Sequence, residues 1–176
     1  MDYFAFYGIP ESLLPDEADL RRRFLKKQRE WHPDFFASDP ARQDEALAQT
    51  AMNNQAWESL SQLPGRVYYL LKKEGYLEKA ADRPLPQLFL MEMMDLNDVV
   101  EEALAGDEHA AAKAGAELQE RMKQTEENIR EMAQKAEANK ANHTYQSADM
   151  EALHTFWQEL QYLKRLRKNL NGESTL

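Results

Sequence analysis

Helix breakers are scarce in this chain, and that scarcity limits the possible folds more than any other feature. Among 176 residues there are 7 prolines and 6 glycines. That is too few to punctuate a loop-rich β architecture or to compose a long disordered chain. The intervening stretches are rich in Ala, Leu, Glu, Lys, Gln and Met, which lose least on entering a helix. Apolar residues make up 43% and charged residues 30%, enough to fill a core and to coat its surface. The expected class is all-α, in one ordinary domain or two small ones.

Composition also removes several function classes. A net charge of −9 disfavours general binding to nucleic acid or anionic membranes. With no cysteine, disulfides, thiolate catalysis and Cys ligation of a metal or cluster are excluded. His32, His109, His143 and His154 are scattered without an HExxH or i,i+4 pairing, so no metal site and no cofactor are expected. The start, MDYFAFYGIP, has neither a basic region nor a sustained apolar run, unlike a signal peptide. No stretch of 18 apolar residues occurs. The expectation is a soluble, cytoplasmic protein.

Local signals order the helices. Residues 2–8 suit a short helix that opens at Asp2 and closes at Gly8, before Ile9-Pro10 forces an extended exit. A second helix is predicted from Asp16, a capping residue with Asp19 in the first turn, to about Trp31, where Pro33 stops it. The polar loop FFASDPARQ comes next. A third helix over 41–62 is expected to turn Leu47, Ala51, Asn54, Trp57 and Leu60 inward, and Pro64-Gly65 to break it. RVYYLLKKEG then reads as a shorter amphipathic helix.

The segment 76–86, YLEKAADRPLP, has two prolines and no period; it is taken as a linker between domains 1–75 and 87–171. The second domain reads as a bundle of three helices, about 86–105, 107–139 and 148–170, joined by short turns. In the middle helix Leu118, Met122, Thr125, Ile129, Met132 and Ala136 form a heptad-like seam. Leu153, Phe156, Leu160, Leu163 and Leu170 make a comparable stripe on the last helix. Residues 172–176 are a tail expected to fray.

The second helix ends on Trp31-His32-Pro33-Asp34. Each residue has an ordinary explanation there: His favours the negative helix end, Pro follows helices, and Asp suits turns. His-Pro-Asp would occur by chance in about one chain in a hundred of this length, so its surroundings must carry the argument. Upstream runs LRRRFLKKQREW, with Arg21, Arg22, Arg23, Lys26, Lys27 and Arg29 against one acid, Glu30. A basic helix in an acidic protein is usually a solvated face. Here it adjoins a tripeptide that stiffens the next loop.

These residues resemble a J-domain: a basic second helix, an HPD loop and an antiparallel third helix, in which NNQAWESL looks like the family's (I)NxAxxxL pattern. The resemblance implies an antiparallel helical hairpin with short flanking helices, and a function in docking on a DnaK-like chaperone to trigger its ATPase. It makes His32, Pro33 and Asp34 the trigger, and Arg21, Arg22, Lys26, Lys27 and Arg29 the steering contacts. Complementary charge chiefly raises on-rate and orients docking, and Asp34 could accept a bidentate bond from a partner Arg. Two departures stand out. The residue after HPD is usually Lys and here is Phe35, and Asn53 occupies a position where an apolar residue is common.

The remainder points to one branch of J-proteins. There is no Gly/Phe-rich linker and no CxxCxGxG repeat. MDYFAFYGIP, RVYYLLKKEGY and FLMEMMDL resemble the HscB family of iron–sulfur co-chaperones, FLME most distinctively. In the first bundle helix, Leu90, Met93, Asn97, Val100 and Leu104 share one face, expected to be the core side. Met91, Met94, Asp95, Asp98 and Glu102 share nearly the opposite one. A methionine stripe is ordinarily core filler, but methionines among acids suit an adaptable exposed patch.

By the resemblance this face, with Leu90 and with Tyr162 at a position that is phenylalanine in the family, would bind the scaffold protein IscU. The J-domain would meanwhile dock on the chaperone HscA and raise the scaffold's local concentration there. No enzyme activity is expected, since no nucleophile or oxyanion cluster accompanies His32 and Asp34. Two other readings stay open: a J-domain co-chaperone for a different client, and a helical adaptor with a chance HPD loop.

Overall fold

The computed structural model describes residues 2–36, 39–79, 84–142 and 144–173. Residues 37–38 of the expected loop, 80–83 of the expected linker and 174–176 of the expected tail lie outside the described residues. The protein is all-α, with helices α1 (Tyr3–Tyr7), α2 (Glu17–Glu30), α3 (Pro40–Leu60), α4 (Leu63–Lys73), α5 (Tyr76–Lys79), α6 (Gln87–Leu104), α7 (Glu108–Asn139) and α8 (Ser147–Leu170), and a 3-10 turn at Pro33–Phe36. It divides into two compact units, 1–70 and 71–176. The division falls inside α4, a few residues ahead of the proline-bearing stretch. Part of that stretch forms α5, where the Tyr76 hydroxyl donates to Ser147 Oγ at 3.0 Å.

The helix starts expected from sequence are closed by side-chain hydrogen bonds, at Asp16 from the residue read as a cap and at two further aspartates. Asp2 accepts from the Phe4 and Ala5 amides, Asp16 from Asp19 and Asp107 from His109 and Ala110, each satisfying donors that a helix start leaves unpaired. Gly8 closes α1 at φ 65°, a left-handed conformation that glycine adopts without Cβ strain.

In the first unit α2 and α3 run antiparallel. Phe24 stacks on Trp57 at 4.6 Å between ring centroids, and Thr50 Oγ1 donates to the Trp31 carbonyl at 2.9 Å. The inward face of α3 differs from the expected one. Leu47, Ala51 and Asn54 are exposed, whereas Ala46, Asn53, Ala56 and Leu60 are buried. Small residues let the two helices approach closely, and Asn53 is tolerated because its polar atoms are paired. Its Nδ2 donates to the Phe24 carbonyl at 3.1 Å, and its Oδ1 accepts from the Tyr7 hydroxyl at 3.0 Å.

Pro64-Gly65 does not form the break after α3 that its sequence suggests. Both residues lie in the first turn of α4, where proline sacrifices no helical hydrogen bond. A Cβ at Gly65 would stand 2.8 Å from the Ser59 carbonyl oxygen. Close packing of α4 on the end of α3 therefore depends on glycine.

The second unit is the expected three-helix bundle. The bundle buries Met93, Leu96 and Val100 of α6, Leu118, Met122 and Ile129 of α7, and Leu153, Leu160 and Leu163 of α8. The α7 seam passes through Ala133 instead of Met132, since four-residue steps follow the natural 3.6-residue turn over a long helix. Asn142 turns the chain at φ 49° between α7 and α8.

Candidate docking surfaces

The first surface is the tip of the α2–α3 hairpin. Trp31 ends α2, Pro33 bars its continuation, and the chain tightens into the 3-10 turn at Pro33–Phe36, where the Phe35 amide donates to the His32 carbonyl at 3.0 Å. Phe36 turns back to stack on Trp31 at 6.0 Å, with the Arg42 guanidinium 4.8 Å above its ring. The turn is thus anchored from beneath. Above it, the Asp34 side chain is 85% exposed and the imidazole of His32 is half-exposed, with Nδ1 3.6 Å from Asp34 Oδ2. Pro33 is half-buried between them.

The basic residues of α2 divide into two sets. Arg23 is structural: its guanidinium donates to the Tyr7 carbonyl at 2.7 Å and the Gly8 carbonyl at 3.2 Å, while its Nε pairs with Asp19 at 2.8 Å. It closes the carbonyl end of α1. Lys27 is half-committed, its ammonium lying 4.1 Å from the Phe6 ring centre. Arg21, Arg22, Lys26 and Arg29 are exposed. Arg22 bonds Asp19, and Lys26 lies 3.6 Å from Glu30. Among the described residues, Arg21 and Arg29 make no ion pair. Net positive charge therefore remains on the outward face of α2, which continues into the tip.

The second surface lies on α6. Met91 and Met94 are 59% and 67% exposed, and Asp95, Asp98 and Glu102 are exposed beside them. Two residues expected on the core side turn outward: Leu90 is 39% exposed and Leu104 also faces solvent. The helix buries a narrower stripe, Met93-Leu96-Val100, and Leu90 and Leu104 sit on its flank. Asn97, on that same flank, is half-buried and donates through Nδ2 to the Tyr162 hydroxyl of α8 at 2.8 Å. Tyr162 also stands edge-on to Phe89 at 5.6 Å. The ridge so formed on α6 carries Met91 and Met94 with Leu90 on its flank, and the Asn97 bond holds Tyr162 of α8 beside that helix. The Asn97–Tyr162 bond had no local sequence signal, because its partners are 65 residues apart.

Among the described residues, no group of His, Cys, Asp and Glu is placed to hold a metal ion, and no helix is long and apolar enough to cross a membrane.

An antiparallel hairpin with a His-Pro-Asp tip, followed by a three-helix bundle, defines a J-type helical protein with an added C-terminal bundle. Residues 85–171 match the family model described as the HSCB C-terminal oligomerisation domain. The whole architecture is similar to two solved structures. The chaperone HscB from Vibrio cholerae is 22% identical with a TM-score of 0.72, over 97% of this chain and 96% of that one. The human co-chaperone protein HscB is 21% identical with a TM-score of 0.67, over 100% of this chain and 86% of that one. The chain belongs to the HscB family.

Proposed function

We propose that this chain is a J-type co-chaperone of iron–sulfur cluster assembly that stimulates the ATPase of a DnaK-like chaperone, HscA, and delivers the scaffold IscU to it. It performs no covalent chemistry of its own. The observation that carries the reading is the pairing, in one HscB-family chain, of an exposed HPD turn beside a cationic helix with a methionine-and-acid ridge on the bundle. His32, Pro33 and Asp34 act as the trigger, and Arg21, Arg22, Lys26, Lys27 and Arg29 steer the encounter with an acidic chaperone surface. Leu90, Met91, Met94, Asp95, Asp98, Glu102 and Tyr162 hold the scaffold, the methionines adapting to its apolar contour while the acids fix orientation.

Linking the two sites converts the scaffold's encounter with the chaperone into a local event, which raises its effective concentration without any new contact. Calorimetric titration tests this arrangement. The chain should bind ATP-loaded HscA and IscU separately and saturably, and the HscA-bound chain should still take up IscU. Mutual exclusion, or failure to bind IscU, would end the delivery role.

A further inference from the structure

Phe35 is the large apolar side chain with the highest exposure among the described residues, at 73%, and it stands directly after the trigger tripeptide. Nothing about its backbone is loose. Its amide is tied to the His32 carbonyl, and the next residue, Phe36, is clamped between Trp31 and Arg42. The turn separates the two phenylalanines, one folded under the tip and the other held out from it. Its only ring neighbour among the described residues is His32, tilted at 5.8 Å between centroids.

An aromatic ring so displayed leaves much apolar area in water, which is unfavourable in the free protein and recoverable on docking. Because the turn is fixed beforehand, little ordering is required when the ring is buried. Beside it stand the His32 imidazole and, one residue back in the chain, the exposed Asp34 carboxylate, and the cationic helix α2 leads into the same tip. That is the anatomy of an interface centre: an aromatic anchor surrounded by a polar rim.

We infer that Phe35 is an apolar anchor for the ATPase partner, seated in a shallow apolar socket on the chaperone whose rim is acidic to match α2. The inference rests on the proposed docking of this tip on a DnaK-like chaperone. It assigns that partner a feature that a lysine at the same position would not select. Docking here should depend less on salt at this one contact than a Lys-bearing tip would, because burial of a ring is not screened by ions as an exposed charge pair is.

The test titrates HscA ATPase activity with the wild-type chain, Phe35→Ala and Phe35→Lys, at low and high ionic strength. Phe35→Ala should raise the half-stimulating concentration about tenfold or more at both, the loss of a hot-spot side chain, and leave maximal stimulation and melting temperature unchanged. Phe35→Lys should recover part of the loss at low salt only. An unchanged half-stimulating concentration for Phe35→Ala overturns the inference. So does a loss confined to the maximal rate, to IscU binding or to thermal stability. A wild-type chain that gives no stimulation overturns the docking reading as well, whereas wild-type stimulation with an indifferent Phe35→Ala overturns the anchor alone.

Discussion

Arg66 reaches Glu17 across the first unit, with its Nη2 3.0 Å from Glu17 Oε1. The two ends of this pair differ sharply: Arg66 is 1% exposed, while the Glu17 side chain is largely in water. The guanidinium earns its burial by other bonds, donating to the Leu13 and Leu60 carbonyls, each at 2.8 Å. It ties the entry loop, the end of α3 and the start of α2 to α4. Arg66→Ala strands those carbonyls and should cost roughly 3–5 kcal/mol. Glu17→Gln removes only a mostly solvated charge and should cost about 1 kcal/mol or less. Urea unfolding of the two variants measures the contrast; equal costs would show that the ion pair, not the carbonyl bonds, matters.

Tyr7 gives the hairpin an alkaline limit. Its hydroxyl donates to Asn53 in the buried seam between α1 and α3, and burial pushes the phenol well above its ordinary value. The folded state therefore holds this proton more tightly than the unfolded chain does. Its contribution to stability is complete below the unfolded value of about 10 and declines as pH rises beyond it. Tyr7→Phe should lower stability by about 1–2 kcal/mol near neutrality and flatten the decline above that pH. Unfolding midpoints measured across the alkaline range supply the comparison.

Glu159 sets a slope at the acid side. It borders a hollow of about 310 Å³ between α6, α7 and α8, and partial burial, reinforced by Glu92, raises its pKa. A raised carboxyl pKa means the proton is bound more tightly in the folded state, so stability falls as pH climbs through the folded value. Glu159→Gln should therefore raise the melting temperature at pH 7. The gain should vanish at pH values below the ordinary glutamate range of about 4.3.

The division among the α2 cations separates folding from docking. Arg23→Ala frees the Tyr7 and Gly8 carbonyls and should lower the melting temperature. Arg21→Ala and Arg29→Ala should leave it unchanged, within about 0.5 kcal/mol of stability, yet slow association with HscA most strongly at low salt. Stopped-flow association rates beside thermal melts distinguish the sets. Equal thermal effects from all three would remove the distinction.

What was legible in the sequence was mainly local. Asp2, Asp16 and Asp107 announced helix starts because capping acts within three residues, and Pro33 marked the end of α2 for the same reason. The bundle seam was readable wherever the apolar period was strong. The inward face of α3 was not, because its packing uses Ala46, Asn53 and Ala56, which hydropathy does not distinguish from surface residues. Asn53 becomes a core residue only through Phe24 and Tyr7, 29 and 46 residues away. An apolar side chain at Leu90 extends the hydrophobic face of α6 on paper, yet α6 buries only the stripe Met93-Leu96-Val100 and leaves Leu90 partly in water.

Separable use of the hairpin tip and the α6 ridge is tested most directly by steady-state HscA ATPase activity with and without IscU. Wild type, His32→Gln and the double variant Met91→Ala, Met94→Ala form the set. All changed residues are at least partly exposed, so folding should be preserved. His32→Gln should lose stimulation under both conditions, while the double variant should retain basal stimulation and lose only the additional increase with IscU. Wild-type behaviour in both variants would leave neither surface with the role assigned to it.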